Sequence, residues 1–356
     1  MAAFRSGTVV SIDRALPDLV KLTVEVDGTP VSASAFPSMC GPLAPGDEVA
    51  LNVTGLELGL GTGGDAFVLW NLSRPAPPDD LPGHIVKLRY TPWQLPVRSV
   101  EAPESPYHDV LKNASSMEGT PVVACSLHSQ IAGVAAGIRA ARPEARIGYV
   151  MTDGAALPIA WSELVRTLRD RGLIDVTCTC GHAFGGDLEA VNVFSAMLAT
   201  RLVGEADVVI VAMGPGVVGT ATPMGFTGIE QGQAVDAATA LGGRPVGCLR
   251  VSFHDERDRH SGVSHHTLTA LRVGCRSRCE IALPLLEEAP RRTIRNQLEA
   301  AGITERHAVL EVDGRPGVEL LRELAVQVTS MGKSLDEIPE LFEAAAAAGA
   351  LAASYT

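Results

Sequence analysis

The chain of 356 residues is long enough for two domains, and its 46% hydrophobic and 20% charged residues exclude a protein that is disordered over most of its length. Its net charge of −12 repels polyanions, so we expect no nucleic-acid partner. Apolar runs fall short of the ~18 residues of a membrane span, and residues 1–13 lack the pattern of a secretion signal, so we expect no membrane association. Seven scattered cysteines favour buried thiols in the reducing cytoplasm over disulfides.

Residues 1–75 have the pattern of a small β domain. Short segments that alternate polar and apolar residues are separated by turn sequences, among them Asp27-Gly28 and Pro45-Gly46-Asp47. The predicted strands are 7–13, 19–27, 31–36, 48–53 and 66–72. We therefore expect a small β-barrel or sandwich over 1–75. The proline-rich stretch 74–83 predicts a domain boundary, with a linker and connecting segment over 76–120.

From residue 121 the pattern changes to strands that alternate with helices. Several apolar runs are nearly continuous, as expected for a parallel sheet with both faces covered. The predicted strands are 121–126, 146–152, 174–179, 206–213, 246–253, 279–285 and 307–312. The predicted helices are 129–142, 158–171, 188–203, 228–241, 289–301, 316–327 and 335–353, with Asp187 capping the third and a capping box of Thr227 and Glu230 before the fourth. The sequence predicts a Rossmann-like, doubly wound and mostly parallel α/β domain over 121–356.

The predicted strand 206–213 ends in a glycine-rich loop, GPGVVGT, at residues 214–220. The spacing of Gly214, Gly216 and Gly219 matches the dinucleotide fingerprint, but the helix that should begin inside it and the acid about 20 residues later are missing. We therefore expect neither a dinucleotide nor an NAD-dependent dehydrogenase. Two alternatives remain. In the first, the loop N–H groups and Thr220 cradle a phosphate or carboxylate; in the second, the glycines only permit close packing or positive φ.

Four of the nine histidines lie within residues 254–266, among acidic and basic side chains. Histidine is a frequent metal ligand and titrates near neutral pH. The spacing matches no standard metal motif, so a divalent metal site and a solvated loop with one or two functional histidines both stay open. The candidate metal ligands are His254, Asp258, His260, His265 and His266.

Polar residues also follow other strands of the predicted sheet. His128 comes after 121–126, Asp153 after 146–152 and His182 after 174–179. Because the carboxyl ends of parallel strands share one edge, we expect these side chains to converge there with the glycine loop and the histidine segment. The predicted catalytic residues are His254, Asp255, His128 and Asp153. The predicted ligand-binding residues are Gly214, Gly216, Gly219, Thr220, His182, Arg257 and Arg259.

Three segments carry a resemblance to a known family: KLRYTPWQ at 87–94, GPGVVGTATPMGFTGIEQGQAVDAATALGG at 214–243, and HDERDRHSGVSHHT at 254–267. With these segments the chain resembles an uncharacterised bacterial family, a domain of unknown function, over nearly its whole length. The resemblance implies no activity, cofactor or catalytic residue.

The sequence favours a cytoplasmic enzyme, a hydrolase or transferase, that binds a small anionic metabolite, phosphorylated or not, at the strand ends. Its chemistry is expected to be acid–base or metal-assisted. The alternative is a non-catalytic metabolite sensor or assembly protein on the same fold, whose alanine-rich C-terminal helix at 335–353 packs against another subunit. We expect the chain to form a homodimer.

Overall fold

The computed structural model describes residues 2–60, 63–74, 82–255 and 257–356. The chain divides into two compact units, Met1–Val97 and Arg98–Thr356. Residues 75–81, most of the predicted proline-rich boundary, and Glu256 in the histidine segment lie outside the described residues.

The first unit is built around a closed β-barrel. Its elements are β1 (Phe4–Ala15), β2 (Val20–Val26), β3 (Thr29–Ala35), α1 (Pro37–Cys40), β4 (Glu48–Asn52), α2 (Thr54–Glu57), β5 (Ala66–Asn71), β6 (Ile85–Lys87) and β7 (Leu95–Val97). The barrel order is β1-β2-β3-β5-β4, and β6 pairs with β7 as a hairpin. Alternation along β2 buries Leu22 and Val24 inside the barrel. Asp27 and Gly28 have φ of 50° and 78°, as the predicted tight turn requires. The predicted small β-barrel is confirmed.

The second unit is an α/β domain. Its elements are α3 (His108–Lys112), β8 (Pro121–Ala124), α4 (Gln130–Ala141), β9 (Ile147–Thr152), α5 (Glu163–Asp170), β10 (Val176–Thr179), β11 (Leu188–Glu189), α6 (Val193–Leu202), β12 (Val208–Met213), α7 (Glu230–Ala240), β13 (Arg244–Gly247), β14 (Val251–Ser252), β15 (Gly262–Val263), α8 (His265–Thr269), β16 (Glu280–Pro284), α9 (Glu288–Ala300), α10 (Ile303–Arg306), β17 (Ala308–Val312), α11 (Arg315–Glu323), β18 (Thr329–Ser330), β19 (Lys333–Ser334) and α12 (Pro339–Ala353). Eight parallel strands form one sheet in the order β11-β10-β9-β12-β8-β13-β16-β17. The predicted Rossmann-like α/β fold is confirmed.

The centre of the sheet contains a topological switch point. Strands β8 and β12 are neighbours, but the helices that follow them pack on opposite faces. Ile131 of α4 shares a core with Leu321 of α11 and Phe342 of α12, whereas Val235 of α7 shares the other core with Met197 of α6. Helices that diverge in this way leave a crevice outside the carboxyl ends of the two strands, where open α/β sheets bind their ligands.

The alanine-rich helix α12 lies inside its own unit. Ala344, Ala345 and Ala348 are fully buried, and α12 packs closely against α4. At Gly137 of α4 an added Cβ would lie 2.0 Å from the backbone oxygen of Ala346, so only glycine permits this approach of the two helices. The buried surface of the helix is therefore used within the chain, whereas the sensor alternative placed the helix against another subunit.

The predicted helix 188–203 is wrong at its start. Leu188 and Glu189 form the edge strand β11, and α6 begins only after Asn192, whose side chain accepts hydrogen bonds from the amides of the first turn. Asp187 is not the cap. Its carboxylate instead accepts hydrogen bonds from Arg169 and Thr177, which lie outside the helix.

Two further local predictions are corrected. The predicted strand 246–253 is interrupted, because β13 ends at Gly247 and β14 leaves the sheet to pair with β15. The predicted capping box is absent, because the Thr227 hydroxyl accepts from the Val218 amide and the Glu230 carboxylate accepts from the Thr152 hydroxyl.

The seven cysteines are buried, as predicted. Among the described residues, no helix combines the length and apolar content needed to cross a bilayer.

Candidate functional site

The glycine loop after β12 lies against the start of α8. A Cβ added at Gly219 would lie 3.5 Å from Nε2 of His266. The ring of Phe226 stacks on the His266 imidazole, with centroids 4.0 Å apart and planes 3° apart, and Phe226 also forms a β-bridge with Gly219. The glycine loop and the histidine segment, which are distant in sequence, therefore meet.

The glycine loop uses part of its own hydrogen-bonding capacity. Both the N–H and the hydroxyl of Thr220 donate to the carbonyl of Gly225, at 2.8 and 2.9 Å. Gly214 has no room for a side chain, because an added Cβ would lie 2.4 Å from the carbonyl oxygen of Ala156, and Gly216 has a φ of 105°. These observations favour the second alternative over an anion cradle, with close packing at Gly214 and positive φ at Gly216.

Three histidines form a compact cluster beside this loop. His260, His265 and His266 each offer a ring nitrogen, and these atoms lie within 4.8 Å of one another. Nδ1 of His260 is 2.7 Å from Oγ of Ser264. Nε2 of His265 is buried and has no hydrogen-bond partner among the described residues. We call these three residues the histidine cluster; His254 and Asp258, the other predicted metal ligands, are not part of it.

The imidazoles of the histidine cluster are held in their neutral form. Burial, assisted by the nearby Arg250, lowers the pKa of His260 to about 3. Burial and the neighbouring His265 lower the pKa of His266 to about 4. Burial and the exposed Arg259 lower the pKa of His265 as well. At neutral pH each ring therefore keeps a nitrogen lone pair.

A cavity of about 240 Å³ lies where the segment after β13 meets the hairpin of β18 and β19 and the start of α12. Three cationic side chains, one carboxylate, two hydroxyls and one imidazole contribute to its lining: Arg250, Arg257, Lys333, Asp255, Ser252, Ser330 and His254. We call it the basic cavity. Its excess of positive charge and its hydroxyl groups suit a small anion.

Arg250 links the basic cavity to the histidine cluster. Its side chain is nearly completely buried, and burial lowers its pKa to about 10, so the guanidinium remains charged at neutral pH. Its contacts in the described part of the chain are long. Nη1 is 3.4 Å from Nδ1 of His266, and Nη2 is 3.7 Å from Oδ2 of Asp255. With five N–H groups, the guanidinium retains donors for a ligand.

Asp255 is an ionised partner of the arginines. Arg257 donates two hydrogen bonds to its carboxylate, from Nε at 2.9 Å and from Nη2 at 2.8 Å. These bonds hold the pKa of Asp255 well below its usual range against the opposing effect of burial. Asp255 is therefore suited to orient Arg250 and Arg257, and it is not suited to exchange a proton near neutral pH.

His254 is oriented by a buried carboxylate. Its Nδ1 lies 3.1 Å from Oε1 of Glu340, which also accepts a hydrogen bond from the Phe253 amide at 2.7 Å. A carboxylate oxygen accepts, so Nδ1 of His254 carries a proton and donates to Glu340. The Lys333 ammonium donates to the backbone carbonyl of His254 and so ties this segment to β19. A half-exposed imidazole that a buried carboxylate orients at the edge of a cavity has the arrangement of a general base.

His128 is not among the residues that line this cavity. Its Nδ1 is 3.0 Å from the carbonyl of Met213 and its Nε2 is 2.6 Å from the hydroxyl of Ser162. Burial lowers its pKa to about 4. With both nitrogens engaged by buried groups, His128 connects β12 to the start of α5.

Asp153 and His182 belong to a second polar group, at the ends of β9 and β10. The His182 amide donates to Oδ2 of Asp153 at 2.9 Å. Glu230, at the first turn of α7, accepts from the Thr152 hydroxyl, and a Cβ added at Gly154 would lie 2.5 Å from its Oε2. Burial, reinforced by the charge of Asp153, raises the pKa of Glu230 to about 7. This group therefore contains a carboxyl that titrates near neutral pH.

The structure thus distributes the predicted site residues over distinct groups. His254, Asp255 and Arg257 line the basic cavity, His260, His265 and His266 form the histidine cluster, and Asp153 and His182 lie near Glu230. Three important residues were not predicted: Arg250, Glu230 and Glu340. Arg250 lies within a predicted strand, Glu230 has the pattern of a capping residue, and Glu340 is 86 residues from His254.

One family model matches the chain. It is the model DUF3866, described as a protein of unknown function, and it matches residues 32–349. The family resemblance noted in the sequence is confirmed by this match. No curated protein matches the chain.

Proposed function

The chain belongs to the DUF3866 family, whose description gives no activity, and from the geometry of the basic cavity we propose that it is an enzyme acting on a small anionic metabolite. The observation that carries the proposal is the buried guanidinium of Arg250 at the wall of a cavity that also contains the oriented imidazole of His254. Burying a charge is costly unless a partner compensates for it, and the contacts of Arg250 to Asp255 and His266 are long. A bound anion would add the short charge-assisted contacts that Arg250 lacks among the described residues.

The cavity also limits what the metabolite can be. Its volume of about 240 Å³ is below the range of about 300–1,000 Å³ found for pockets of drug-sized ligands. Phosphate and carboxylate groups accept from guanidinium and ammonium donors with charge-assisted hydrogen bonds. We therefore expect a small phosphorylated or carboxylated compound, held by Arg250, Arg257 and Lys333.

His254 is the residue that we assign to the chemistry. Its Nε2 would take a proton from a water or hydroxyl group next to the bound anion, and Glu340 would stabilise the imidazolium that forms. Glu340 is a positioning residue in this scheme, because it acts through His254. The resulting reaction class is hydrolysis or group transfer.

Isothermal titration calorimetry with orthophosphate, pyrophosphate and a panel of small phosphoesters and carboxylates tests the binding step. Arg257→Met should weaken binding about tenfold or more, since a hydrogen bond to a charged group contributes about 1.5–3 kcal/mol. Arg259→Met is the matched control, because Arg259 is exposed, lies two residues away and is not part of the cavity lining. Equal weakening by both variants would mean that the affinity depends only on the overall positive charge of the segment and not on a contact between Arg257 and the anion.

Turnover of the bound compounds tests the catalytic step. His254→Gln should leave the affinity largely unchanged and lower turnover by about 100-fold or more, the usual contribution of a positioned general base. Binding that depends on Arg257 without turnover of any compound in the wild-type protein would instead favour the non-catalytic sensor.

A further inference from the structure

The histidine cluster contains a buried ring nitrogen that makes no hydrogen bond to the described residues. Nε2 of His265 is buried without a hydrogen-bond partner among the described residues, whereas buried polar atoms in folded proteins nearly always have one. The nitrogens of two other imidazoles lie within 4.8 Å, and the ring centroids are 4.3 to 5.0 Å apart. The three imidazoles therefore converge, and one of them has no partner among the described residues. This arrangement leaves a place for an electron-pair acceptor such as a metal cation.

We propose that His260, His265 and His266 bind a divalent zinc-type cation. In a tetrahedral zinc site the ligating nitrogens lie ~2.1 Å from the metal and therefore ~3.4 Å from one another. The present nitrogens, which lie within 4.8 Å of one another, would approach by side-chain rotation when a metal binds. The contact between Nδ1 of His260 and the Ser264 hydroxyl orients this ring and leaves its Nε2 for the metal. Imidazole nitrogen is a preferred ligand type for zinc and its neighbours in the first transition row.

The charges around the cluster determine what completes the coordination. Arg250, Arg257 and Arg259 all act on these imidazoles, and their positive charge opposes a bare dication. An anionic fourth ligand offsets this repulsion, and a site with three protein ligands leaves that position open, as catalytic zinc sites do. Arg250 contacts both the basic cavity and His266. The fourth ligand would then be the metabolite anion, a step that rests on the proposed function, whereas zinc binding itself does not.

The test is a titration of the metal-free full chain with ZnCl₂ in competition with a chromophoric chelator. We expect one zinc per chain, with affinity at least about 100-fold lower in His260→Asn and in His265→Asn, because loss of a ligand costs at least as much as the 10–100-fold loss of a supporting residue. His254→Asn is the matched control. It changes a histidine of the same segment outside the cluster and should bind zinc like the wild type.

A second measurement keeps the proposal testable if a variant fails to fold. Co²⁺ added to the metal-free wild-type protein should give the intense visible absorption of a four- or five-coordinate nitrogen site. The proposal is overturned if the wild-type protein binds no zinc, if the histidine variants bind it as well as the wild type does, or if Co²⁺ gives only the weak spectrum of the hydrated ion.

The contribution of the anion is measured separately. Orthophosphate should raise the zinc affinity of the wild-type protein, and an unchanged affinity would overturn the anionic fourth ligand while zinc binding stands. Orthophosphate binding to the metal-free protein addresses the proposed function alone. These measurements therefore distinguish a failure of the zinc proposal from a failure of the proposed function.

Discussion

Substituting Glu230 by glutamine should change how the stability of the protein depends on pH. The carboxyl of Glu230 is withdrawn from solvent at the start of α7. This burial and the charge of Asp153 raise its pKa from 4.5 to about 7, against the lowering effect of the hydrogen bond from the Thr152 hydroxyl. A carboxyl whose pKa is higher in the folded than in the unfolded chain stabilises the fold below pH 4.5. This stabilisation is lost as the pH rises through about 7.

The magnitude follows from the two pKa values. The difference between 4.5 and about 7, at about 1.4 kcal/mol per pH unit, corresponds to about 3 kcal/mol for a fully withdrawn group. Partial exposure of Glu230 lowers the expectation to about 2 kcal/mol. The glutamine side chain of E230Q does not ionise and can still accept from Thr152, so this variant should gain about 2 kcal/mol relative to the wild type between pH 5 and pH 8.

Urea denaturation of both proteins at pH 5, 6, 7 and 8 measures this difference. Glu299→Gln is the control, because Glu299 is exposed on α9 and its replacement should leave the pH dependence of the wild type in place. Parallel stability curves for E230Q and the wild type across this range would refute the argument that Glu230 is a proton-binding group near neutral pH.

Two further predictions concern the scaffold beneath the site. Gly137→Ala should lower the free energy of unfolding by more than ~2 kcal/mol, because its Cβ would lie 2.0 Å from a carbonyl oxygen of α12; a melting temperature equal to that of the wild type would contradict this packing. Ser162→Ala removes the cap of α5 and the partner of the buried His128 nitrogen, so chemical denaturation should show a loss of about 2 kcal/mol. A loss below ~0.5 kcal/mol would mean that neither bond stabilises the fold.

The fold could be predicted because its signals are local. Continuous apolar runs identified the strands of the parallel sheet, and turn sequences such as Asp27-Gly28 identified the hairpins of the barrel. Predictions failed where two local signals competed. Asp187 and Asn192 both have side chains of a type that caps helices. Asn192 is the actual cap, because Leu188 and Glu189 form an edge strand of the sheet before the helix begins.

The candidate site could be predicted only in part, because its pairings join distant elements. The sequence identified the histidine segment and the strand ends, but the contact between His254 and Glu340 spans 86 residues and has no local pattern. Arg250 was not predicted because the strand breaks after Gly247, and no pattern in the apolar run 246–253 shows that break. Glu230 has the spacing of a capping residue, and only the position of Thr152 shows its actual partner.

The proposed function depends on recognition of an anion by the buried Arg250 at the basic cavity. Calorimetric titration of the wild-type protein and Arg250→Gln with orthophosphate and pyrophosphate tests it most directly, with thermal melting to verify that the variant is folded. We expect the wild-type protein to bind one of these anions and Arg250→Gln to weaken the binding at least about tenfold, because charge-assisted hydrogen bonds are lost. Equal affinity in the folded variant, or no binding to the wild-type protein, would contradict it.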